Sequence, residues 1–275
     1  MRAGQARAAK EVVLCADDFA LHAGASLGIA KLAQQGRISA TSVMVLSKRW
    51  EQDATLLRPL RGRIDVGLHL DWTSDFAIAA GHGLALPSAL LKAVLGGFSL
   101  AGARAVIDHQ LDAFEAQWQA APDFVDGHQH VQQFAGIRDA LVQALVSRYG
   151  ARPEPRPYLR VSRAPPGGVN LKSRIIASLG ASKFERLARQ AGLTCATALS
   201  GIYDFSGSGE QYASRMTDWL WQAPCRSIIM CHPAQAVEPG DTIGVARLQE
   251  FAYLGSDDFS AALSLTGVRL VRGGA

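Results

Sequence analysis

Short apolar segments rich in β-branched residues alternate with helical patterns along nearly the whole 275-residue chain. Residues 11–16, 40–46 and 64–70 predict buried strands, and residues 23–35 and 50–60 between them predict helices. The same alternation continues with strands expected at 124–131, 158–162, 195–199, 227–232 and 268–271, and helices at 100–119, 137–148, 171–191, 211–221 and 247–263. Such a pattern is typical of a parallel sheet covered by helices.

Seven or eight strands, with no internal repeat and no linker rich in proline, serine or charge, predict one α/β domain. We expect a distorted (β/α) TIM-like barrel with parallel strands, and a doubly wound open sheet is the alternative. Residues 1–10 are predicted to be a flexible N-terminal arm, and residues 11–275 the barrel domain. The stretch 71–100, rich in Gly, Ala and Leu, is expected to form an insertion or lid.

Composition excludes several classes of function. The hydrophobic fraction of 48% and charged fraction of 19% indicate a globular protein, and the net charge of +4 comes from scattered arginines, which argues against nucleic-acid binding. Neither a dinucleotide motif nor a phosphate-binding loop occurs. No apolar run reaches the roughly 20 residues of a transmembrane segment, and the apolar run near the start is too short for a signal peptide. The four cysteines form no CxxC motif. We therefore expect a cytoplasmic location.

Asp or His stands at or just beyond the carboxyl end of four predicted strands. These residues are Asp17 and Asp18, His69, the Asp126–His130 segment, and His232. In a parallel barrel these strand ends meet on one face, which is where such barrels carry their active sites. A carboxylate with two neutral imidazoles suits a divalent metal that keeps positions open for water and substrate. The sequence therefore predicts a metal-dependent hydrolase.

Five short sequence motifs indicate a family resemblance. They are CADDFAL at 15–21, GRISATSVMV at 36–45, VGLHLDWT at 66–73, VDGHQHVQQF at 125–134 and IMCHPA at 229–234. In this order and spacing the chain resembles the YdjC-like carbohydrate deacetylases, also called the ChbG/HpnK family. The resemblance implies a distorted barrel that removes the N-acetyl group from an amino sugar with one divalent metal ion, Mg²⁺ or Zn²⁺.

The resemblance also implies roles for individual residues. The metal ligands would be Asp18, His69 and His128. Asp17 would be the general base that takes a proton from metal-activated water, and His232 the general acid that protonates the leaving amine. The remaining candidates would support a ligand or contact substrate: Asp126 and Arg160, with His22 and His130. Apart from the resemblance, four aromatic residues in loops after strands could stack on a sugar ring or pack under a lid: Trp72, Phe76, Tyr203 and Phe205.

Several alternatives stay open. An Asp pair at a strand end is often a helix N-cap, a histidine between leucines is often a core residue, and His130 could replace His128 as the ligand. Ala20, His22 and Gln132 depart from the family pattern; Ala20 is expected to keep a right-handed backbone.

The substrate is expected to be an N-acetylated carbohydrate, either chito-oligosaccharide-like or glycolipid-linked, and homodimer formation is open. The alternatives in function are an amidohydrolase or phosphoesterase barrel, and a sugar-binding barrel without turnover.

Overall fold

A single sheet of parallel strands forms the centre of the protein. The computed structural model describes residues 9–151 and 156–274. Within these ranges the strands are β1 (Lys10–Phe19), β2 (Ala40–Val43), β3 (Asp65–Leu70), β4 (Phe124–Gly127), β5 (Tyr158–Leu159), β6 (Leu199–Ser200), β7 (Ser227–Cys231) and β8 (Val268–Leu270). The strand order is β5-β4-β3-β2-β1-β7-β6, and β8 pairs with β1 off this path.

The two edges of this curled sheet approach each other through the segment that leads into β6. The Leu159 amide in β5 donates to the Thr194 carbonyl at 2.9 Å, and the Leu199 amide donates to the Arg163 carbonyl at 2.8 Å. Leu159 also forms a parallel bridge with Cys195. These contacts bring the two edges of the sheet together. The predicted distorted (β/α) barrel is therefore confirmed, and the alternative of an open doubly wound sheet is wrong.

Helices cover the outside of the sheet. They are α1 (Ala23–Gln34), α2 (Trp50–Leu57), α3 (Asp75–Ala79), α4 (Leu86–Val94), α5 (Leu100–Trp118), α6 (Ile137–Tyr149), α7 (Leu171–Ser178), α8 (Ala181–Gln190), α9 (Gly209–Gln222), α10 (Gly244–Leu254) and α11 (Asp257–Thr266). Residues 58–60 and 128–133 form 3-10 turns. None of the helices in the described ranges is long and apolar enough to span a membrane.

Two helices that the sequence predicts as single are each broken into two. The helix expected at 171–191 stops before Gly180, whose φ of 134° is a conformation that other residues rarely adopt. The helix expected at 247–263 ends at Leu254, and Ser256 begins α11 by accepting a hydrogen bond from the Phe259 amide. Helical periodicity continues across both breaks, which is why the pattern alone does not reveal them.

Three further boundaries differ from the expected ones. The predicted strand 124–131 ends at Gly127, because Gln129 and His130 have left-handed φ values of 52° and 63°. The region 71–100 contains the helices α3 and α4, so it is less irregular than predicted. Of the predicted N-terminal arm, residues 1–8 lie outside the described residues, and Lys10 already belongs to β1.

The barrel interior is filled below its carboxyl-end face. Alternate residues of β1 and β7, including Val13, Cys15, Ile228 and Met230, belong to one buried apolar cluster. Because side chains alternate along a strand, Asp17 follows Cys15 on the same side of β1. The packed interior thus supports a polar site above it.

Candidate metal and catalytic site

A cavity of about 1000 Å³ opens at the carboxyl ends of the strands. Its lining includes eight of the predicted site residues, namely Asp17, Asp18, His22, His69, His128, His130, Arg160 and His232. Asp126 lies behind this surface, fully buried in β4. Residues up to 215 positions apart in the chain therefore share one site, as the strand-end argument predicts.

A bulge in β1 lets two consecutive aspartates face the same cavity. In a regular strand, Asp17 and Asp18 would point to opposite sides of the sheet. The pairing of β1 with β2 shifts register between Ala16 and Phe19, and Asp18 has a left-handed φ of 67°. Ala20 also has a left-handed φ, of 71°, so its expected right-handed backbone is wrong.

Asp18, His69 and His128 converge on one point. Asp18 Oδ1 lies 3.4 Å from His69 Nε2 and 3.2 Å from His128 Nδ1. One ligand atom from each residue lies within 4.8 Å of the other two. His130 is absent from this group; its Nδ1 lies 2.9 Å from Ser162 Oγ, and burial lowers its pKa to about 3. The geometry therefore favours His128 over His130 as a ligand.

The fully buried Asp126 orients the His69 ring. Its Oδ1 lies 2.6 Å from His69 Nδ1, which leaves Nε2 directed toward Asp18. Burial opposes a charged imidazole, but the neighbouring carboxylate of Asp126 outweighs it and raises the pKa of His69 to about 10. The site therefore attracts positive charge strongly. This set of groups fits a divalent transition-metal ion. One carboxylate and two imidazoles would be the ligands, and a second carboxylate lies behind one of the imidazoles.

Asp17 is held by a fully buried arginine. Arg160 donates to Asp17 through Nη1 at 2.7 Å and Nη2 at 2.8 Å, a two-pronged contact that fixes the carboxylate plane. Arg160 Nη1 also lies 2.9 Å from Asp126 Oδ2. Burial opposes ionisation of Asp17, but the Arg160 charge prevails and lowers the pKa of Asp17 well below its ordinary value. Asp17 is therefore an anion at neutral pH.

His232 stands on the other side of Asp17. Its Nε2 lies 3.9 Å from Asp17 Oδ2, and its buried Nδ1 has no hydrogen-bond partner within residues 9–151 and 156–274. Burial lowers the pKa of His232 to about 4, so the ring is neutral at pH 7. The backbone amide of His232 donates to Glu250, which also accepts from the Tyr203 hydroxyl at 2.6 Å.

Three predicted candidates have structural partners of their own. His22 begins α1 by accepting a hydrogen bond from the Ala25 amide, and its Nε2 lies 3.2 Å from Asp241. Trp72 is only 2% exposed and lies outside the cavity lining, as does Tyr203 behind Glu250, so neither is where a sugar ring could stack. The aromatic residues that line the cavity are instead Phe76 and Phe205.

The sequence reasoning missed the polar residues of α10. Arg247, 3% exposed, donates to Asp18 Oδ2 at 2.7 Å and lies 2.9 Å from Asp241 Oδ2. Glu250 is fully buried one turn later. A signal existed in the spacing, since charged residues at i and i+3 lie on the same helix face as the buried Leu254. Gln132, one of the family departures, donates to the Arg160 carbonyl at 3.1 Å and so supports Arg160.

The fold and the site together define a (β/α)-barrel protein with a candidate Asp-His-His metal centre at the carboxyl ends of its strands. The chain belongs to the YdjC-like protein family, whose family model matches residues 11–264. The match confirms the family resemblance that the five sequence motifs indicate.

Two curated relatives carry the name chitooligosaccharide deacetylase. The protein of Proteus mirabilis (strain HI4320) is 26% identical over 273 residues, covering 94% of this chain and 96% of that protein. The protein of Enterobacter sp. (strain 638) is 29% identical over 148 residues, covering 52% of this chain and 56% of that protein. The second match therefore spans about half of each chain.

Solved structures share the fold. An Enterococcus faecalis V583 protein, named for a proposed cleavage of cellobiose phosphate, has a TM-score of 0.70 at 17% identity and covers 97% of this chain and 98% of its own. A peptidoglycan N-acetylglucosamine deacetylase has a TM-score of 0.50 at 13% identity, covering 95% of this chain and 85% of its own. At these identities the similarity concerns the barrel alone.

Proposed function

We propose that the protein is a metal-dependent hydrolase that removes the N-acetyl group from an N-acetylated amino sugar. The observation that carries the proposal is the convergence of Asp18, His69 and His128 beside an anionic Asp17 in one cavity. The names of the two curated relatives support the same chemistry. Phe76 and Phe205 offer aromatic faces for a sugar ring within that cavity.

Asp18, His69 and His128 would hold the divalent ion, either Zn²⁺ or Mg²⁺. When bound, such an ion lowers the pKa of a water molecule and polarises the acetyl carbonyl. Arg247 engages Asp18 Oδ2 and leaves Oδ1 directed toward the two imidazoles. Asp126 holds the His69 ring so that Nε2 faces the same point.

Asp17 is the proposed general base. Its two oxygens are fixed by Arg160, so the carboxylate enters the reaction already oriented and anionic. It accepts the proton of the water molecule that attacks the acetyl carbon. Arg160 stays charged throughout, since burial is outweighed by Asp126 and Asp17, which raise its pKa further.

His232 is the proposed general acid for the leaving amine. Because its pKa is lowered to about 4, it is neutral in the free protein and must gain a proton before it can donate one. Asp17 Oδ2, 3.9 Å from His232 Nε2, carries the proton taken from the attacking water. That proton passes from Asp17 to His232 and then to the amine nitrogen as the C–N bond breaks. The products are a free amino sugar and acetic acid, which releases the second water proton to become acetate.

We also propose that residues 71–100 act as a cover for this site within the single barrel domain. Phe76 in α3 and Leu86 and Leu90 in α4 line the cavity. These side chains would shield the reacting amide from bulk water when substrate is bound.

The test is acetate release by metal-defined protein from N-acetylglucosamine, di-N-acetylchitobiose and an N-acetylglucosaminyl lipid. We expect metal-dependent release that Asp17→Asn lowers by at least a hundredfold. The matched control is Asp218→Asn, an exposed residue of α9, which should retain wild-type turnover. Hydrolysis of aryl phosphates or cyclic amides without acetate release would instead indicate a phosphoesterase or an amidohydrolase. Sugar binding without turnover would indicate a sugar-binding barrel that is not an enzyme.

A further inference from the structure

The imidazole ring of His232 is not oriented by a hydrogen bond to a neighbouring side chain. In His69 such a bond exists, since Nδ1 lies 2.6 Å from Asp126 Oδ1. In His232, by contrast, the buried Nδ1 has no hydrogen-bond partner among the described residues, and Nε2 lies 3.9 Å from Asp17 Oδ2, beyond direct hydrogen-bond distance. Packing must therefore set the orientation of the His232 ring.

The ring of Phe205 packs against His232. The two ring centres are 5.1 Å apart and the ring planes meet at 83°, which is an edge-to-face contact. Phe205 follows β6, is half-buried and lines the cavity. Rotation of the imidazole about its Cβ–Cγ bond would break this contact, so Phe205 limits the directions in which the two ring nitrogens can point.

The backbone of Phe205 is strained. Its φ of 62° is a left-handed conformation that bulky residues rarely adopt. Such a conformation costs stability and persists only where the surrounding structure holds it. A glycine would relieve the strain but would supply no ring. The conserved volume of an aromatic ring at a strained position, directly against the proposed general acid, therefore indicates a functional role for that ring.

The loop is anchored on both sides of Phe205. Lys172 of α7 donates to the Tyr203 carbonyl at 2.6 Å, and its Nζ lies 4.9 Å from the centre of the Phe205 ring. Arg215 of α9 donates to the Ser206 carbonyl at 2.7 Å. Two helices thus hold the loop, and the Phe205 ring is presented to His232 by a fixed frame.

We propose that Phe205 is a positioning residue for His232, and that its ring holds the imidazole with Nε2 directed toward Asp17 and the leaving amine. This inference rests on the proposed deacetylase function and adds a residue that neither the metal centre nor the acid–base pair includes. Phe205 acts through His232, so it matters for protonation of the leaving group. The attack of water on the acetyl carbon uses Asp17 and does not depend on Phe205.

The nature of the leaving group separates this role from a contact with the sugar. An amine needs a proton in order to leave, whereas a thiolate leaves without one, because the pKa of a thiol is only about 8.5. The experiment compares methyl N-acetylglucosaminide with its thioester analogue, in which sulfur replaces the amide nitrogen and the sugar and acetyl groups are unchanged. Both are given to the metal-loaded protein.

We expect Phe205→Leu to lower kcat for the amide by about 10- to 100-fold and to change kcat for the thioester by less than about twofold. His232→Gln should show the same selectivity with a larger loss on the amide. Phe205→Tyr keeps the aromatic ring and should retain most of the amide activity. Equal losses on the two substrates in Phe205→Leu would assign the ring to sugar binding and overturn the inference, as would an unchanged kcat for the amide.

Two further variants control for packing. Phe251→Leu is the matched control, because Phe251 is also half-buried with a lysine over its ring, Lys31 Nζ at 5.7 Å, but lies outside the cavity. It should keep wild-type kcat on both substrates. Lys172→Met leaves Phe205 in place and loosens its frame, so it should cause a smaller loss that is again confined to the amide. A loss shared by both substrates would contradict this role of the frame.

An NMR measurement on metal-free protein with isotope-labelled histidine does not depend on turnover. The Cε1–H signal of His232, assigned with His232→Gln, should be single and narrow in wild type and in Phe251→Leu. In Phe205→Leu it should broaden or double, because the imidazole then samples more than one orientation; an unchanged signal would overturn the inference. If the wild type releases acetate from neither substrate, the proposed function is wrong, and this signal alone decides whether Phe205 positions His232.

Discussion

Arg247 is the residue whose substitution examines the candidate metal centre most sharply. It lies on α10, 3% exposed, with Nη2 donating to Asp18 Oδ2 at 2.7 Å. Arg247→Met keeps an unbranched apolar side chain and removes the charge, so that Asp18 keeps its burial and loses its guanidinium partner. Burial opposes ionisation of Asp18, and it is Arg247 that lowers its pKa well below the ordinary value.

The magnitude follows from the contact distance. Two unit charges 2.7 Å apart attract by about 6 kcal/mol at an effective dielectric constant near 20, before desolvation is counted. Removing one partner of a buried ion pair typically costs about 3–5 kcal/mol, because the other charge stays buried. We therefore expect Arg247→Met to lower the free energy of unfolding of the metal-free protein by about 3–5 kcal/mol.

The assay is guanidinium unfolding of wild type, Arg247→Met, Asp18→Asn and the double variant, each with chelator and with saturating Zn²⁺. Arg247 also lies 3.3 Å from the His232 carbonyl and 2.9 Å from Asp241, so the double-mutant cycle is needed to isolate its pairing with Asp18. We expect a coupling of several kcal/mol in chelator that shrinks with Zn²⁺, since the cation neutralises Asp18 in place of Arg247. A coupling near zero in chelator, or one that Zn²⁺ leaves unchanged, would refute the reasoning.

Three other predictions concern the residues around the site. Asp126→Asn removes the carboxylate that orients His69 and should lower divalent-metal affinity by about 10- to 100-fold in calorimetry; unchanged affinity would contradict this role. Burial raises the pKa of Glu250 to about 7, so the folded state binds its proton more tightly than the unfolded state. Wild-type stability should therefore fall by about 3 kcal/mol relative to Glu250→Gln as pH rises from about 5 to 8; an equal difference at both pH values would contradict it. Gly180→Ala places a Cβ within 2.5 Å of the Gln133 carbonyl at a φ of 134°, and should lower the guanidinium midpoint by the equivalent of about 1–3 kcal/mol; an unchanged midpoint would show that the α7–α8 break tolerates a side chain.

The alternation of strands and helices was enough to predict the barrel and to place Asp17, His69 and His232 on one face. This succeeds because parallel strands present their carboxyl ends together, whatever the details of packing. The bulge at Asp18 and the left-handed turn at His130 were not predictable. Both need a positive φ, and neither position has the glycine that would indicate one in the sequence.

Long-range polar contacts were also beyond the sequence pattern. Arg247 is 229 positions from Asp18, and the packing of α10 against α1 and α9 brings the two together. Trp72 shows the opposite error, since an aromatic residue just after a strand suggested a sugar contact but lies in the core at 2% exposure. Local pattern identifies which residues carry chemistry, and tertiary packing decides which of them reach the cavity.

The most direct measurement titrates metal-free protein with Zn²⁺ or Mg²⁺ while acetate release from an N-acetylglucosaminyl glycoside is recorded. The proposed centre of Asp18, His69 and His128 predicts that activity rises linearly and stops at one equivalent of a tightly bound ion, and that His128→Ala abolishes both binding and release. Acetate release at the full rate in the presence of chelator, or in His128→Ala, would contradict a metal-dependent deacetylase built on these residues.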